Sequence, residues 1–247
     1  MIYGDYHTHT TNSDGKGTVE ETLIRADEIG LKEVGFSDHG LRHIARGMSK
    51  KEIVDTRDEI ERLRGKYKVR PMLSIESNIY SSDGKIDLTE EERHMFDYVI
   101  AGYHKAVWPS NFIDTFRFTI PAIFANFRHY TDGQRRRYTR ALVNAITSNK
   151  VNIISHLCHG IPVFIKEVAK AAVDYNVFIE LNGKKVSMTD DEILTLQDYG
   201  VNFILDSDAH TPDRVGEISV PLEVVDRLNL NKDKIVNWEK LPNLYLR

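Results

Sequence analysis

Residues 2–9 read Ile2-Tyr3-Gly4-Asp5-Tyr6-His7-Thr8-His9, a short run of strand type that ends in two histidines. Side chains at i and i+2 of a strand lie on one face, so His7 and His9 can address one metal ion together. The same form recurs along the chain. Glu33 to His39, Val69 to Glu76, Tyr98 to His104, Val151 to His156 and Val201 to His210 each run from strand-type residues into a side chain that binds metals or moves protons. Val177 to Asn182 has the same form but ends in an amide. Chemistry gathered at the carboxyl ends of successive strands is how an α/β barrel builds its active site, because the loops that follow converge at that mouth.

Between these runs lie segments of helical period. Thr18 to Ile29 opens with Thr18 and Glu21 at capping-box spacing and puts Leu23, Ala26 and Ile29 on an inner face. Ser49 to Arg64 repeats the design, and Gln134 to Ser148, Val163 to Tyr175 and Thr189 to Tyr199 read the same way. Strands alternating with single helices predict βαβ units and a parallel sheet. Seven strands fall short of the eight-stranded barrel, so a smaller or distorted version is expected. Two stretches break the rhythm. Ser81-Ser82-Asp83-Gly84 carries turn chemistry between Asn78-Ile79-Tyr80 and Lys85-Ile86-Asp87, which predicts a small hairpin. Lys105 to Gly133 is too long for an ordinary βα loop and reads as an insertion or lid at the mouth. Its aromatics (Trp108, Phe112, Phe116, Phe118, Phe124 and Phe127) fit either a ring-stacking pocket or the insertion's own small core. No repeat or linker interrupts residues 1–247, which read as a single domain.

The bulk properties narrow the class. A chain of 247 residues needs no disulfides to stay folded, and one cysteine, Cys158, permits no internal disulfide. The first twenty residues are too polar for a signal peptide, and no apolar run approaches the roughly 20 residues of a membrane span. A cytoplasmic protein without a membrane partner is expected. The formal charge of −4 argues against a nucleic-acid footprint.

Asp208-Ala209-His210 repeats the i, i+2 spacing at the far end of the chain. Asp38-His39, Glu76, His104 and His156 each follow an apolar run, and a buried Glu without a partner is costly unless an ion offsets it. His43, His94, His129 and His159 fall outside this pattern and read as surface or packing residues, as Cys158 reads as a packed thiol.

In this order the motifs resemble the PHP family, the polymerase-and-histidinol-phosphatase metallohydrolases, over essentially the whole chain. The family's Asp-x-His-x-His is present as Asp5, His7 and His9, followed by Ser13-Asp14-Gly15. Its Thr-Asp-His is Ser37-Asp38-His39, and its later motifs are Glu76, His104, His156 and the Asp208–His210 pair. The stretches ending in His104 and His156 are most similar to the small stand-alone phosphatase-like members. The resemblance implies a distorted (β/α)7 barrel, TIM-barrel-like, with a trinuclear site at the C-terminal mouth of the strands. By position, His7, His9, Glu76 and Asp208 would hold one ion, and Glu76, His104 and His156 a second, with Glu76 bridging. Asp14, His39 and His210 would hold the third; some members place a histidine where this chain has Gly15. Asp5 and Asp38 are implied to orient ligand histidines, and Asn182 to face the mouth as a hydrogen-bonding neighbour.

Six imidazoles and three carboxylates bring about −3, against roughly +6 from three divalent ions, an excess that suits a phosphate dianion. Zinc, manganese and iron all tolerate such a site, so two or three of these ions are expected. The expected activity is hydrolysis of a small, histidinol-phosphate-like phosphomonoester by attack of a metal-bound hydroxide, with Glu76, Asp208 and His210 catalytic. Arg42, Lys105, Lys184 and Arg214 are candidates to hold the substrate's phosphate, whereas Arg135-Arg136-Arg137 reads as a solvated helix start. Two alternatives remain: a nuclease or phosphodiesterase on nucleic acid or nucleotides, and a metal-binding domain without turnover. The acidic balance and the lack of an aromatic–basic stripe count against nucleic acid.

Overall fold

The computed structural model describes residues 1–44, 46–123 and 130–244. The strands are β1 (Gly4–Thr8), β2 (Glu33–Phe36), β3 (Arg70–Leu73), β4 (Glu76–Asn78), β5 (Ile100–Gly102), β6 (Ile153–Ile154), β7 (Phe178–Asn182) and β8 (Phe203–Asp206). They form two parallel sheets, ordered β1-β2-β3 and β4-β5-β6-β7-β8. β3 and β4 are halves of one strand interrupted at Ser74-Ile75, which restores the expected count of seven. The ladder runs on through the interruption, since Ser74 N donates to Phe36 O (2.7 Å) and Ile100 N donates to Ile75 O (3.1 Å). A parallel bridge between His39 and Glu76 joins the sheets on this side. On the other side, Thr8 bridges Ala209, and Tyr6 N donates to the Asp206 side chain instead of a main-chain carbonyl. That substitution breaks the regular ladder at the second seam, and it is one reason the barrel is distorted.

The helices follow from the caps. α1 (Val19–Glu28) and α2 (Lys50–Leu63) begin behind complete capping boxes at Thr18/Glu21 and Ser49/Glu52. The short α3 (Phe112–Asp114) and α4 (Ile120–Ile123) flank a π-helical turn, Thr115–Thr119, inside the insertion. α5 (Asp132–Ser148) starts before the expected Gln134, because Thr131 caps it and Gln134 completes that box. α6 (Ile165–Asp174), α7 (Asp190–Asp198) and α8 (Ser219–Arg227) complete the outer layer. α8 lies beyond the last recognised motif and was not expected. The hairpin is present as one antiparallel bridge, Ile79 to Ile86, with Gly84 at φ +81° in the turn.

Inside the ring, Tyr6, Met72, Tyr98, Ile100, Ile153, Phe178 and Ile204 pack together with Leu244 of the C-terminal segment. The larger core lies between strands and helices and includes Leu23, Phe36, Ile60, Leu142, Val168 and Leu196. The interior core raises the polar ends of the strands above an apolar plug. Beneath the β1/β8 seam, buried Asn237 donates to Gly4 O (2.9 Å) and Leu205 O (2.6 Å) and accepts from Leu205 N (3.1 Å). Asn237→Ala leaves these buried main-chain groups unpaired, and urea unfolding is expected to show a loss of about 2–4 kcal/mol. A loss below about 0.5 kcal/mol would mean that Asn237 does not secure the seam.

Candidate metal centre

β1 delivers two of the predicted ligands through an irregularity. Its register against β2 shifts between Asp5 and Thr8, as a bulge does when it re-aims side chains. Asp5 therefore turns to Ser207 and Gly216, accepting from Ser207 N (3.0 Å) and Gly216 N (2.8 Å). His7 and His9 turn to the mouth, with their Nε2 atoms 3.2 Å apart.

Glu76, 1% exposed, is the centre of the arrangement. Its Oε1 lies 2.8 Å from His156 Nε2, 3.2 Å from His104 Nε2 and 3.4 Å from His7 Nε2. Its Oε2 lies 3.0 Å from His39 Nδ1 and 3.7 Å from His9 Nε2. Asp208 Oδ1 stands 3.3 Å from His9 Nε2 and 3.4 Å from His210 Nδ1. Asp14 Oδ1 stands 3.1 Å from His210 Nε2, 3.5 Å from His39 Nε2 and 3.7 Å from His9 Nδ1. All nine predicted ligands thus converge on one mouth. Among the described residues, three groups have the spacing to hold an ion: His7-His9-Glu76, His39-Glu76-His104 and His9-Asp14-His39-His210. His9 and His39 each present one nitrogen to Glu76 and the other to Asp14, so the geometry offers them to two groups rather than one.

The ring nitrogens that face the cavity are bare because the opposite nitrogens are engaged. His7 Nδ1 meets Glu180 Oε1 at 2.6 Å, and a carboxylate can only accept, so Nδ1 carries a proton and Nε2 is the nitrogen left to face the cavity. His104 Nδ1 meets Asn78 Oδ1 at 2.8 Å, while Asn78 Nδ2 donates to Asp87 Oδ2 at 2.6 Å. This network fixes the Asn78 amide and leaves His104 Nε2 bare. Asp14 Oδ1 and His39 Nδ1 are buried without a hydrogen-bond partner. Imidazoles and carboxylates that converge on one cavity, beside orphaned carboxylate and imidazole atoms, form a donor set that fits divalent cations.

The proton affinities agree. Burial works to raise the Glu76 carboxyl, but the imidazoles of His104, His7 and His156 gathered around it hold it well below the usual range. Asp208 is also held low, with burial outweighed by His7 and His9. Burial pushes His9 down to about 3 and His104 down to about 4. Burial acts against a proton on His39 too, yet Asp14 and Glu76 hold it up at about 10. Glu180, Glu76 and Asp208 likewise overcome burial at His7 and hold it well above the ordinary imidazole value. Protons on His7 and His39 thus stand where a cation would otherwise neutralise the carboxylates.

The orienting groups differ from those expected. Asp5 and Asp38 touch no ligand ring. Asp38 accepts from Thr10 N, Thr10 Oγ1 and Ser13 Oγ, and reaches His9 only through Ser13, whose Oγ is 3.4 Å from His9 Nδ1. The direct orienting role falls to Glu180 and Asn78, which sequence reasoning missed. The signal for Glu180 was present, since it sits two residues before Asn182 on an otherwise apolar strand and shares its face. Glu180 Oε2 also accepts from His156 N (2.6 Å) and Asn182 Nδ2 (2.9 Å), and Asn182 Nδ2 donates to Asp208 Oδ2 (3.1 Å). Asp208 and His156 both have positive φ, +51° and +30°, a conformation that non-glycine residues adopt at a cost and that these bonds help hold.

The side chains line a cavity of about 220 Å³. Of the predicted phosphate binders, Lys184 lines it, with Nζ 3.1 Å from Asp208 Oδ1 and 2.8 Å from His210 Nδ1. Arg42 does not; its guanidinium stacks on Tyr80 (4.2 Å) and bonds Trp108 O and Pro109 O, tying the start of the insertion to the barrel. Lys105 lies beside Gly160, and Arg214 is exposed on a turn off the cavity. Arg135 bonds Val163 O and stacks on Phe164, and Arg137 bonds Arg117 O, so the arginine run braces the helix start. Two histidines set aside earlier are close to the mouth: His43 stacks on His39 (4.5 Å, 4°), and His159 lines the cavity 5.4 Å from the His156 ring. His94 is exposed, and Cys158 is half-buried. In the insertion, Phe118 is buried against Tyr103 and Tyr138, whereas Trp108, Phe112 and Phe116 are exposed. Phe124, Phe127 and His129 lie outside the described residues. Glu180→Gln puts an NH2 group against a nitrogen donor, and titration of the purified protein is expected to show metal affinity lowered by about 10–100-fold. Unchanged affinity would remove Glu180 from the orienting role.

Comparison with known proteins places this geometry. A Lactococcus lactis histidinol phosphate phosphatase, solved with zinc, L-histidinol and phosphate, has the same fold with a TM-score of 0.63 and 16% identity; the alignment covers 93% of this chain and 95% of that one. A "Probable phosphatase" of Shewanella sp. (strain ANA-3) is 26% identical over 248 residues, covering 94% of this chain and 86% of the relative. A "Probable phosphatase" of Vibrio parahaemolyticus is 28% identical over 251 residues, covering 95% and 89%. The model of the PHP domain matches residues 5–184, which take in the strand ends from His7 through Asn182, and the chain belongs to the PHP family.

Proposed function

We propose that this chain is a metal-dependent phosphatase that hydrolyses a small phosphomonoester at the mouth of its barrel. The observation that carries the reading is Glu76, a fully buried carboxylate within 4 Å of five imidazoles at the floor of a small cavity. In this reading His7, His9, Glu76 and Asp208 would hold one ion, Glu76, His104 and His156 another, and Asp14, His39 and His210 a third. Such ions, zinc, manganese or iron, supply positive charge against a phosphoryl group and lower the pKa of water. The chain's residues do the rest. Glu180, Asn78 and Ser13 hold His7, His104 and His9 in the orientations that leave lone pairs toward the cavity. Lys184 balances Asp208 and sits where a non-bridging phosphate oxygen would enter. His210, a quarter exposed, accepts from Lys184 and stands beside Asp14 at the open side of the third group.

The relatives named as phosphatases support this chemistry. A cavity of about 220 Å³ is below the roughly 300–1,000 Å³ of a drug-sized site, which favours a small ester over a nucleic-acid strand. Phosphate release from a panel of small phosphomonoesters, beside cleavage of a labelled single-stranded DNA, tests the choice; cleavage of DNA alone would reverse it. Glu76→Gln is expected to lower bound metal and phosphate release together, the latter by at least about 100-fold. Full activity in that variant would refute the mechanism.

The proton affinities give a second test. His9 and His104 are neutral near pH 7, whereas His7 and His39 must each lose a proton to become ligands. Metal affinity is therefore expected to rise between pH 6 and 8, by about tenfold per pH unit for each proton released. Calorimetry in buffers of different ionisation enthalpy counts those protons, and a count of zero would contradict the assignment of His7 and His39.

A further inference from the structure

The rim of the cavity is cationic on one side. Lys184 and Lys185 follow β7 and line the cavity with His159, which follows β6. Lys105 follows β5 and lies along the same wall; a Cβ placed on Gly160 would stand 2.8 Å from its Cε. Lys105 and Lys185 are both close enough to His159 to act on it electrostatically. His159 Nδ1 lies 3.3 Å from Ser187 Oγ, which holds the ring on this wall.

These cations are not equivalent. Lys184 is taken up by Asp208 and His210. Lys105 and Lys185 have no carboxylate partner among the described residues, whereas Lys50, Lys51, Lys66, Lys85, Lys150 and Lys170 all do. Lys16, Lys32, Lys68, Lys166, Lys234 and Lys240 likewise have no carboxylate partner among the described residues, but Lys105 and Lys185 stand together against His159, beside a cavity already suited to a dianion. Like charges gathered without a counter-charge repel one another, and an anion between them relieves that repulsion.

We propose that Lys105, Lys185 and His159 form a second anion subsite, so that the preferred substrate carries a phosphate or carboxylate on its leaving group in addition to the phosphate that is cleaved. This rests on the phosphatase reading for the position of the first phosphate. The subsite also disfavours a leaving group that bears an ammonium, which would face the same lysines.

The test uses ligands that are not hydrolysed. The full chain, loaded with Mn2+ or Zn2+ at low salt, is titrated by calorimetry with butylphosphonate and with 1,4-butanediphosphonate. The diphosphonate is expected to bind about tenfold more tightly, the product of two or three exposed charge contacts of roughly two- to fivefold each. In Lys105→Ala/Lys185→Ala the ratio is expected to fall to within about twofold, and in the wild type it should shrink as ionic strength rises. Equal or undetectable binding of the two ligands by the wild type overturns the subsite, as does an unchanged ratio in the double variant. In Lys185→Gln alone the ratio should be intermediate, and a ratio equal to wild type counts against the subsite. Phosphate release from the panel of small phosphomonoesters, with 1,4-butanediol bisphosphate added, is measured separately. If none is hydrolysed while the diphosphonate preference stands, the phosphatase reading falls and the subsite does not.

Discussion

The structure depends on keeping one carboxylate ionised where water does not reach it. Glu76 is buried at the point where two sheets meet, and an isolated buried charge costs several kcal/mol unless neighbours offset it. The surrounding chain is arranged around that requirement. The strand carrying Glu76 breaks at Ser74-Ile75, so its first half pairs with β2 and its second half with β5. Gly102 on β5 leaves room for the carboxylate, since a Cβ there would stand 3.2 Å from Glu76 Oε1 and 2.3 Å from Ser155 Oγ. Ser155 uses that room to donate to Glu76 at 2.8 Å. The donor set around Glu76 is thus built by the same packing that joins the two sheets.

Around this centre, three rings are held from outside by different means. Glu180 holds His7 directly, Asp87 acts on His104 through Asn78, and Asp38 acts on His9 through Ser13. The arrangement explains the small hairpin after β4, whose return strand brings Asp87 back against Ser77 and Asn78. Asp87 also accepts from Arg42 N, and the Arg42 side chain then grips the insertion. A turn that looks peripheral in the sequence therefore fixes both a ring tautomer and the root of the long insertion.

The candidate ligands were legible because all but Asp14, which lies in the loop after His9, are exceptions to their surroundings, a His, Asp or Glu at the end of an apolar strand. The helices were legible because Thr18, Ser49, Thr131 and Thr189 cap them with Glu or Gln three residues on. What escaped was whatever depends on pairing between distant residues. Asp5 belongs to the first motif, yet a register shift turns it to Ser207, some 200 residues away. Glu180 stands inside a strand rather than at its end, so a rule about strand ends passed over it. His43 carries no motif and matters only because the chain after β2 folds it onto His39.

The strand ends and the loops answer to different physics. At the floor, low dielectric and close packing make each hydrogen bond strong, so small changes of ring tautomer alter the affinity for ions. At the rim, Lys105 and Lys185 lie nearer to water, where each charge contributes little and salt weakens it, and His159 offers a polar ring between them. In the proposed reading, binding strength for a phosphate comes from the floor, while choice among phosphate esters comes from the rim. The rim residues sit on loops after β5, β6 and β7, outside the hydrogen bonds that fix the ligands. They can change without disturbing the floor, so two chains of this fold with the same ligand set can act on different esters. Knowledge of the ligands in this chain thus limits the reaction far more tightly than it limits the substrate.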